Sequence, residues 1–204
     1  MRATAVDIET PHGPARAHVF RVDEPRAALV LGHGAGGGVE ARDLTAARDA
    51  ALEAGLTVVL VEQPYRVAGR RSPAPATHLD AAWTTVVESL TRRRLAGLPL
   101  LVGGRSSGAR VACRTAAATR AVGVLCLAFP LVPPRRSGAP RSRLPELDAV
   151  AVPVLVVQGE NDRFGAPPPD AKRTVAVVRG DHALRSDLEG LRAAVRAWLA
   201  EVAP

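Results

Sequence analysis

The residue of this sequence best suited to chemistry is Ser106, in the stretch GRSSG at residues 104–108. The stretch matches G-x-S-x-G and lies between an apolar run at 98–104 and an Ala-rich run at 107–119. A strand, a tight turn and a helix in this order hold a serine hydroxyl above the edge of a sheet, where it can attack a carbonyl carbon. Because the motif is short, an ordinary turn serine is the alternative interpretation.

A nucleophilic serine needs a base that accepts its proton and an acid that orients the base. His182 lies in GDHAL, after a strand predicted at 173–180, and no other histidine follows a late strand in this way. Asp162 lies in QGENDRFG, three residues after the end of a strand predicted at 152–159. The order serine, acid, histidine is one of the known orders of such triads.

Other acidic residues lie near Asp162 and His182, and they leave alternatives open. Glu160 and Asp170 are both alternative acids. Asp181 is adjacent to His182, so its side chain diverges from the imidazole and we interpret it as a loop residue. Asp162 also suits a turn, where aspartate is common, and His182 also suits a structural role in its loop.

A glycine-rich loop, LGHGAGGG at 31–38, has two interpretations. Read from Gly32 it matches G-x-G-x-x-G, and Glu62 lies at the end of the next apolar run, which is the pattern of a dinucleotide site. That interpretation leaves the serine, the acid and the later histidine without a role, and it places a histidine inside the fingerprint. Alternatively, the loop supplies a backbone N–H to an oxyanion hole.

The second interpretation of the loop names two backbone donors. They are the N–H of Ala35 and the N–H of Ser107, which directly follows the candidate nucleophile. We predict that both point at one position about 3 Å from each nitrogen. His33 then braces the loop rather than acting as a base.

The elements that must position these residues alternate along the chain. Strands are predicted at 3–9, 16–22, 27–32, 56–62, 98–104, 122–129, 152–159 and 173–180, and helices at 40–54, 77–95, 107–119 and 186–202. The first two strands form an antiparallel hairpin, whereas the later Val/Leu runs are typical of parallel strands buried on both faces. The alternation predicts an α/β fold with a doubly wound, mostly parallel sheet.

Two terminus signals refine the predicted helices. Gly55 after the first helix is a typical C′ residue. Ser186 with Glu189 three residues later predicts a capping box at the start of the last helix. The stretch 130–145 is predicted to be irregular and too short for a large lid, so a shallow, exposed pocket is expected.

Composition narrows the class of protein. A length of 204 residues predicts a single domain spanning 1–204. The net charge is +7, but the basic residues occur in short, scattered clusters such as Arg135-Arg136, without interleaved aromatic residues, so no nucleic-acid partner is expected. The two cysteines are predicted to be buried free thiols, which favours a reducing compartment and a cytoplasmic location. We predict no membrane segment, no metal site and no cofactor.

The motifs taken together resemble a known family. GHGAGG, GRSSGAR, FPLVPP, VQGENDRFG and GDHAL, within residues 27–184, resemble the α/β-hydrolase superfamily, in particular small lid-less members similar to dienelactone hydrolases. Among these the chain looks most like the KANL3/Tex30-type branch. The resemblance implies the α/β-hydrolase fold without a large lid, a Ser106–Asp162–His182 triad, and an oxyanion hole served by the loop at 32–38. Ser107 and Val132 depart from the family's pattern. These two departures affect what the resemblance implies about the substrate pocket, and they do not affect the triad.

The expected function is that of a serine hydrolase that cleaves a small ester, thioester or lactone through an acyl-enzyme. Its partner is then a small-molecule acyl substrate, and the protein is a monomer or homodimer. The residues predicted to line the substrate site are His33, Gly34, Arg105, Phe129, Pro130 and Leu131. The alternative is an interaction or scaffold protein of the same fold with little or no catalytic activity.

Overall fold

A computed structural model describes residues 3–133 and 141–203 of the chain. Its strands are β1 Thr4–Ile8, β2 Ala15–Phe20, β3 Ala27–Gly32, β4 Leu56–Glu62, β5 Leu100–Arg105, β6 Gly123–Leu127, β7 Val154–Gly159 and β8 Arg173–Val178. Its helices are α1 Arg42–Glu53, α2 Pro64–Val67, α3 Ala76–Thr91, α4 Ser107–Thr115, α5 Leu144–Asp148 and α6 Leu188–Val202. Part of the stretch predicted to be irregular, residues 134–140 with the Arg135-Arg136 cluster, lies outside the described residues.

All of these strands belong to one sheet with the order β1-β2-β4-β3-β5-β6-β7-β8. β1 and β2 form the predicted antiparallel hairpin, and β2 pairs antiparallel with β4. Every pair from β4 across to β8 is parallel. The predicted α/β class and mostly parallel sheet are therefore confirmed, and the loops that follow the parallel strands meet at one edge of the sheet.

Helices cover both faces of this sheet and divide the core into two layers. On one face Trp83 of α3 and Val111 of α4 pack against the sheet, and on the other Leu44 of α1 and Trp198 of α6 do so. The strands β3, β6 and β7 are buried along their whole length, which explains their nearly continuous apolar runs. In the described ranges, no helix combines the length and apolarity that crossing a bilayer requires.

The predicted capping box at the last helix is wrong. α6 begins one residue later than the motif requires, and Asp187 is its N-cap, with the carboxylate accepting from the Gly190 N–H at 2.9 Å. At this position Asp187 also places a negative charge at the positive end of the helix dipole, which is a favourable interaction. Glu189 instead pairs with Arg196 along the helix.

Two short helices, α2 and α5, were not predicted. Each has a proline in its first turn, where a missing N–H costs nothing. Helices of four or five residues are too short to show an apolar period. α5 begins at Leu144, inside the stretch predicted to be irregular, and ends beyond it at Asp148. The Gly55 prediction is confirmed, because this residue follows α1 with a left-handed φ of 78°.

The predicted free thiols are also confirmed. Cys113 on α4 and Cys126 on β6 are both buried and unbridged. Their sulfur atoms lie 3.5 Å apart, well beyond the length of a disulfide bond.

Candidate active site

Ser106 lies in a sharp turn between β5 and α4. Its backbone has φ 52° and ψ −106°, a conformation that non-glycine residues rarely adopt. The turn is held in place because the Ser106 N–H donates to the Leu127 carbonyl at 2.8 Å, directly after the register pair Arg105–Leu127 of β5 and β6. Strain retained in this way is typical of sites where a side chain must be presented in one direction.

The glycines of G-x-S-x-G make room for this turn. A Cβ on Gly104 would lie 2.4 Å from the Gly32 carbonyl oxygen, and a Cβ on Gly108 would lie equally close to the same oxygen. Real Cβ atoms do not approach backbone oxygen so closely. The two glycines therefore let β5 and α4 pack directly against the end of β3, next to the glycine-rich loop.

The structure brings Ser106, His182 and Asp162 together from three loops. His182 Nε2 lies 3.0 Å from Ser106 Oγ, and His182 Nδ1 lies 2.8 Å from the Asp162 Oδ2. Asp162 is buried, whereas Ser106 and His182 are half-buried. With its proton on Nδ1, the imidazole donates to the carboxylate and presents Nε2 as the acceptor for the serine hydroxyl.

The alternative acids contact other groups. Glu160 is exposed and contacts the Asn161 side chain. Asp170 pairs with Arg173. Asp181 accepts from the Ala183 N–H at 2.8 Å, in keeping with a loop residue.

Gln158, which was not predicted from the sequence, lies directly behind the acid. Its Nε2 lies 2.7 Å from Asp162 Oδ2, 3.2 Å from the Phe129 carbonyl and 2.9 Å from the Gly165 carbonyl. All three neighbours are acceptors, so the reverse amide orientation would place oxygen against oxygen. Gln158 is fully buried and is the one strongly polar residue in the run VLVVQG. A polar residue in such an apolar strand is a sequence signal that could have identified Gln158 as a hydrogen-bond partner of the carboxylate.

Asp162 is also held from the opposite side. The Phe164 N–H donates to its Oδ1 at 2.9 Å. The Phe164 ring meets the His182 ring edge-on, with 4.5 Å between centroids. The same short loop therefore orients the carboxylate and packs against the imidazole.

The glycine-rich loop is braced by His33 and Tyr65. His33 Nε2 accepts from the Gln63 N–H at 3.1 Å, which leaves Nδ1 to donate to the Gly34 carbonyl at 2.8 Å. The Tyr65 hydroxyl donates to the Ala35 carbonyl at 3.0 Å, and burial raises the pKa of Tyr65 to about 12. His33 is thus a buried, neutral residue that shapes the loop.

The loop lies close to the elbow. A Cβ built on Gly34 would lie 3.7 Å from Ser106 Cβ, so the backbones approach closely. Among the described residues the Ala35 N–H makes no hydrogen bond. Ser107 is the first residue of α4, where N–H groups have no partner within the helix. Neither predicted oxyanion donor therefore has a hydrogen-bond partner among the described residues, and their convergence on one point stays a prediction.

Protonation of His33 is expected to destabilise the fold. Burial lowers the pKa of His33 below its ordinary value, because the cation would lose its water. In the unfolded chain the imidazole titrates near pH 6.5, so the unfolded state binds the extra proton first. The contribution of neutral His33 to the free energy of unfolding is fully present above about pH 6.5 and is lost as the pH falls through the lower pKa of the folded state. The free energy of unfolding then falls by at most about 1.4 kcal/mol per pH unit.

Urea unfolding of the wild type and His33→Gln between about pH 7 and pH 5 measures this pH-dependent loss of stability. The glutamine variant is expected to show the shallower decline in the free energy of unfolding. Equal slopes for the two proteins would contradict the assignment.

The other predicted substrate-lining residues differ in accessibility. Phe129 and Pro130 are buried, and Leu131 is half-buried, with its Cδ2 3.8 Å from a Cβ built on Gly165. The Arg105 side chain is largely covered, with 18% of its surface exposed, and it contacts Asp43.

A family of known proteins accounts for this fold and arrangement. Residues 25–188 match the family model described as alpha/beta hydrolase domain. The chain belongs to the α/β-hydrolase family. The dinucleotide interpretation of the glycine-rich loop therefore gives way to the hydrolase interpretation.

Solved structures similar to this α/β hydrolase share its whole fold at low sequence identity. A serine hydrolase without a lid from Xanthomonas campestris has a TM-score of 0.80 at 20% identity, covering 100% of this chain and 96% of that one. An esterase from Pyrococcus furiosus has a TM-score of 0.79 at 13% identity, covering 100% of this chain and 91% of that one. Dienelactone hydrolase from Anabaena variabilis has a TM-score of 0.76 at 16% identity, covering 100% of this chain and 99% of that one. No curated protein matches the sequence significantly.

Proposed function

We propose that this α/β hydrolase is a serine hydrolase that cleaves a small ester, thioester or lactone through an acyl-enzyme. The observation that carries the proposal is the continuous hydrogen-bonded line from Ser106 through His182 to Asp162, with heavy-atom distances of 3.0 and 2.8 Å. The proposal extends to a dienelactone-hydrolase-like member of the KANL3/Tex30-type branch, located in the cytoplasm and acting on small acyl substrates as a monomer or homodimer.

In the first step, Ser106 Oγ attacks the substrate carbonyl while its proton passes to His182 Nε2. Asp162 stabilises the imidazolium that forms, because its carboxylate already accepts from Nδ1 at 2.8 Å. Gln158 and the Phe164 N–H hold both carboxylate oxygens in place, so the acid does not need to reorient during the step.

The tetrahedral intermediate carries a negative charge on the former carbonyl oxygen. In this proposal the Ala35 and Ser107 N–H groups bind that oxygen, and the N-terminal end of α4 favours the same charge. Loss of one such donor costs about 3–4 kcal/mol of transition-state stabilisation in serine enzymes.

The second half of the reaction reverses the proton path. His182 donates its proton to the leaving alcohol or thiol, and the acyl group remains on Ser106. Water then enters, gives a proton to His182 and attacks the ester carbonyl, which releases the acid and regenerates the serine.

We infer the size of the substrate from residues 3–133 and 141–203, which contain no large lid. Ser106 and His182 retain exposed surface, so the site can contact a small acyl group, and none of the described segments encloses a long chain. Short-chain esters are the appropriate first substrates.

A fluorophosphonate probe and short-chain nitrophenyl esters test the proposal. The wild type is expected to be labelled and to turn over the esters, and Ser106→Ala is expected to do neither. Ser107→Ala is the matched control, because it removes a neighbouring hydroxyl and keeps the backbone N–H. Absence of labelling and turnover in the wild type would favour the alternative, an interaction protein of the same fold.

A further inference from the structure

We propose that Arg105 is a positioning residue that joins the nucleophile elbow, the His182 loop and the glycine-rich loop through its ion pair with Asp43. The inference rests on the proposed function, because it assigns how the proposed catalytic groups keep their relative positions. It also gives Arg105 a role other than the predicted contact with substrate.

The ion pair between Arg105 and Asp43 holds the guanidinium in a largely covered position. Arg105 Nε is 2.7 Å from Asp43 Oδ2, although the N–H does not point straight at that oxygen, so the contact is a close ion pair rather than an aligned hydrogen bond. Asp43 lies in the first turn of α1 and is only 1% exposed, and its Oδ1 accepts from the Leu44 N–H at 2.9 Å. A buried carboxylate with a fixed position is an anchor for the guanidinium.

The rest of the guanidinium reaches the two other loops. Arg105 Nη2 donates to the His182 carbonyl at 3.1 Å, across 77 residues of sequence. Its Nη1 lies so close to Gly34 that a Cβ built there would be 2.7 Å away. Arg105 itself directly precedes Ser106, so one side chain links three of the four segments that carry the proposed chemistry, the Asp162 loop being the fourth.

Arginine suits this role, whereas lysine does not. The guanidinium presents donors in several fixed directions within one plane, and an ammonium at the end of a flexible chain cannot reach all of these neighbours at once. Because the Asp43 carboxylate fixes the plane, movement of Arg105 would displace His182 and Ser106 relative to each other. A misplacement of about 1 Å in an active site can cost about 100-fold in rate.

The kinetic test uses Arg105→Lys and Asp43→Asn, each with a similar shape to the original residue, and the double variant. Both single variants are expected to lower kcat for a nitrophenyl ester by about 10- to 100-fold, while KM changes less than about twofold, because the substrate itself is not contacted. The double variant is expected to lose no more than the worse single variant, since the two residues act as a unit.

Arg173→Lys is the matched control. Arg173 is a buried arginine that pairs with Asp148 and Asp170 at the beginning of β8, the opposite end of the sheet from the site. Its replacement is expected to lower the free energy of unfolding and to leave kcat unchanged.

Hydrogen exchange of the backbone over residues 179–185 gives a readout that needs no turnover. The two site variants are expected to exchange faster there than the wild type and Arg173→Lys, because the donor to the His182 carbonyl is lost in Arg105→Lys and is no longer held by an ion pair in Asp43→Asn. If the wild type proves to be inactive, the proposed function fails, but this comparison still decides the positioning role.

Three results would overturn the inference. One is a rise in KM with unchanged kcat for Arg105→Lys, which would make Arg105 a substrate-binding residue. Another is a loss of kcat no larger than that of Arg173→Lys. The third is unchanged hydrogen exchange at 179–185 in both site variants.

Discussion

Replacing His182 with alanine is expected to lower kcat for a short-chain nitrophenyl ester by about a million-fold, the loss seen when a triad base is removed from a serine enzyme. Without Nε2, no group in residues 3–133 and 141–203 lies within hydrogen-bond reach of the Ser106 hydroxyl to accept its proton, and the Asp162 carboxylate loses its imidazole partner. Steady-state kinetics with titrated active sites measures the effect.

His18→Ala is the control for this variant. His18 lies on β2 and contacts Glu62 at 3.1 Å, so its replacement removes an imidazole without touching the candidate site. It is expected to keep wild-type kcat. Comparable losses in the two variants would contradict the assignment of His182 as the base.

Gly108→Ala is expected to lower the free energy of unfolding by about 3 kcal/mol, which is near the upper end of the destabilisation usual when a core is overpacked. The added methyl carbon would lie 2.4 Å from the Gly32 carbonyl oxygen and 2.8 Å from the His33 carbonyl oxygen. Both are backbone atoms of a buried strand and its loop, so neither can move as a side chain would. Because relief of the clash must push α4 away from β3, the serine and the glycine-rich loop separate and kcat falls as well.

Gly38→Ala provides the comparison for Gly108→Ala. A Cβ at Gly38 has no neighbour within 4 Å, and its backbone does not require a positive φ. Urea unfolding is expected to show a change within about 0.5 kcal/mol, as for most surface substitutions. Equal destabilisation by the two alanines would show that the close approach at Gly108 does not matter.

Much of the fold was predictable because the parallel strands in the interior of the sheet are buried on both faces. Runs such as VLVVQG and LTVVLVE consist almost wholly of apolar residues, and this signal does not depend on knowledge of the rest of the chain. The order of Ser106, Asp162 and His182 after three such runs was equally visible, since parallel strands deliver their following loops to one edge.

Contacts between distant side chains were not predictable. Nothing in the sequence around Asp43 indicates that it pairs with Arg105, because the pairing depends on how α1 packs beside β5. The same is true of Tyr65 and the Ala35 carbonyl. Gln158 was visible as a polar residue in an apolar strand, but its partner is set by the path of the chain after Gly159.

The error at the last helix has a local cause. Ser186 and Asp187 are adjacent residues that both favour the N-cap position, and sequence preference separates them by little. The backbone decides between them, since α6 begins at Leu188 and the Asp187 side chain then faces the Gly190 N–H.

The candidate catalytic groups come from loops after β5, β7 and β8, and the contact between Ser106 and His182 spans 76 residues. Such a contact forms only after the strands between them have found their neighbours, and pairings of this range are the slow part of folding. Regain of the proposed hydrolysis after dilution from denaturant is therefore expected to mark the docking of β8. Helical signal, which arises from contacts a few residues apart, is expected to return before it.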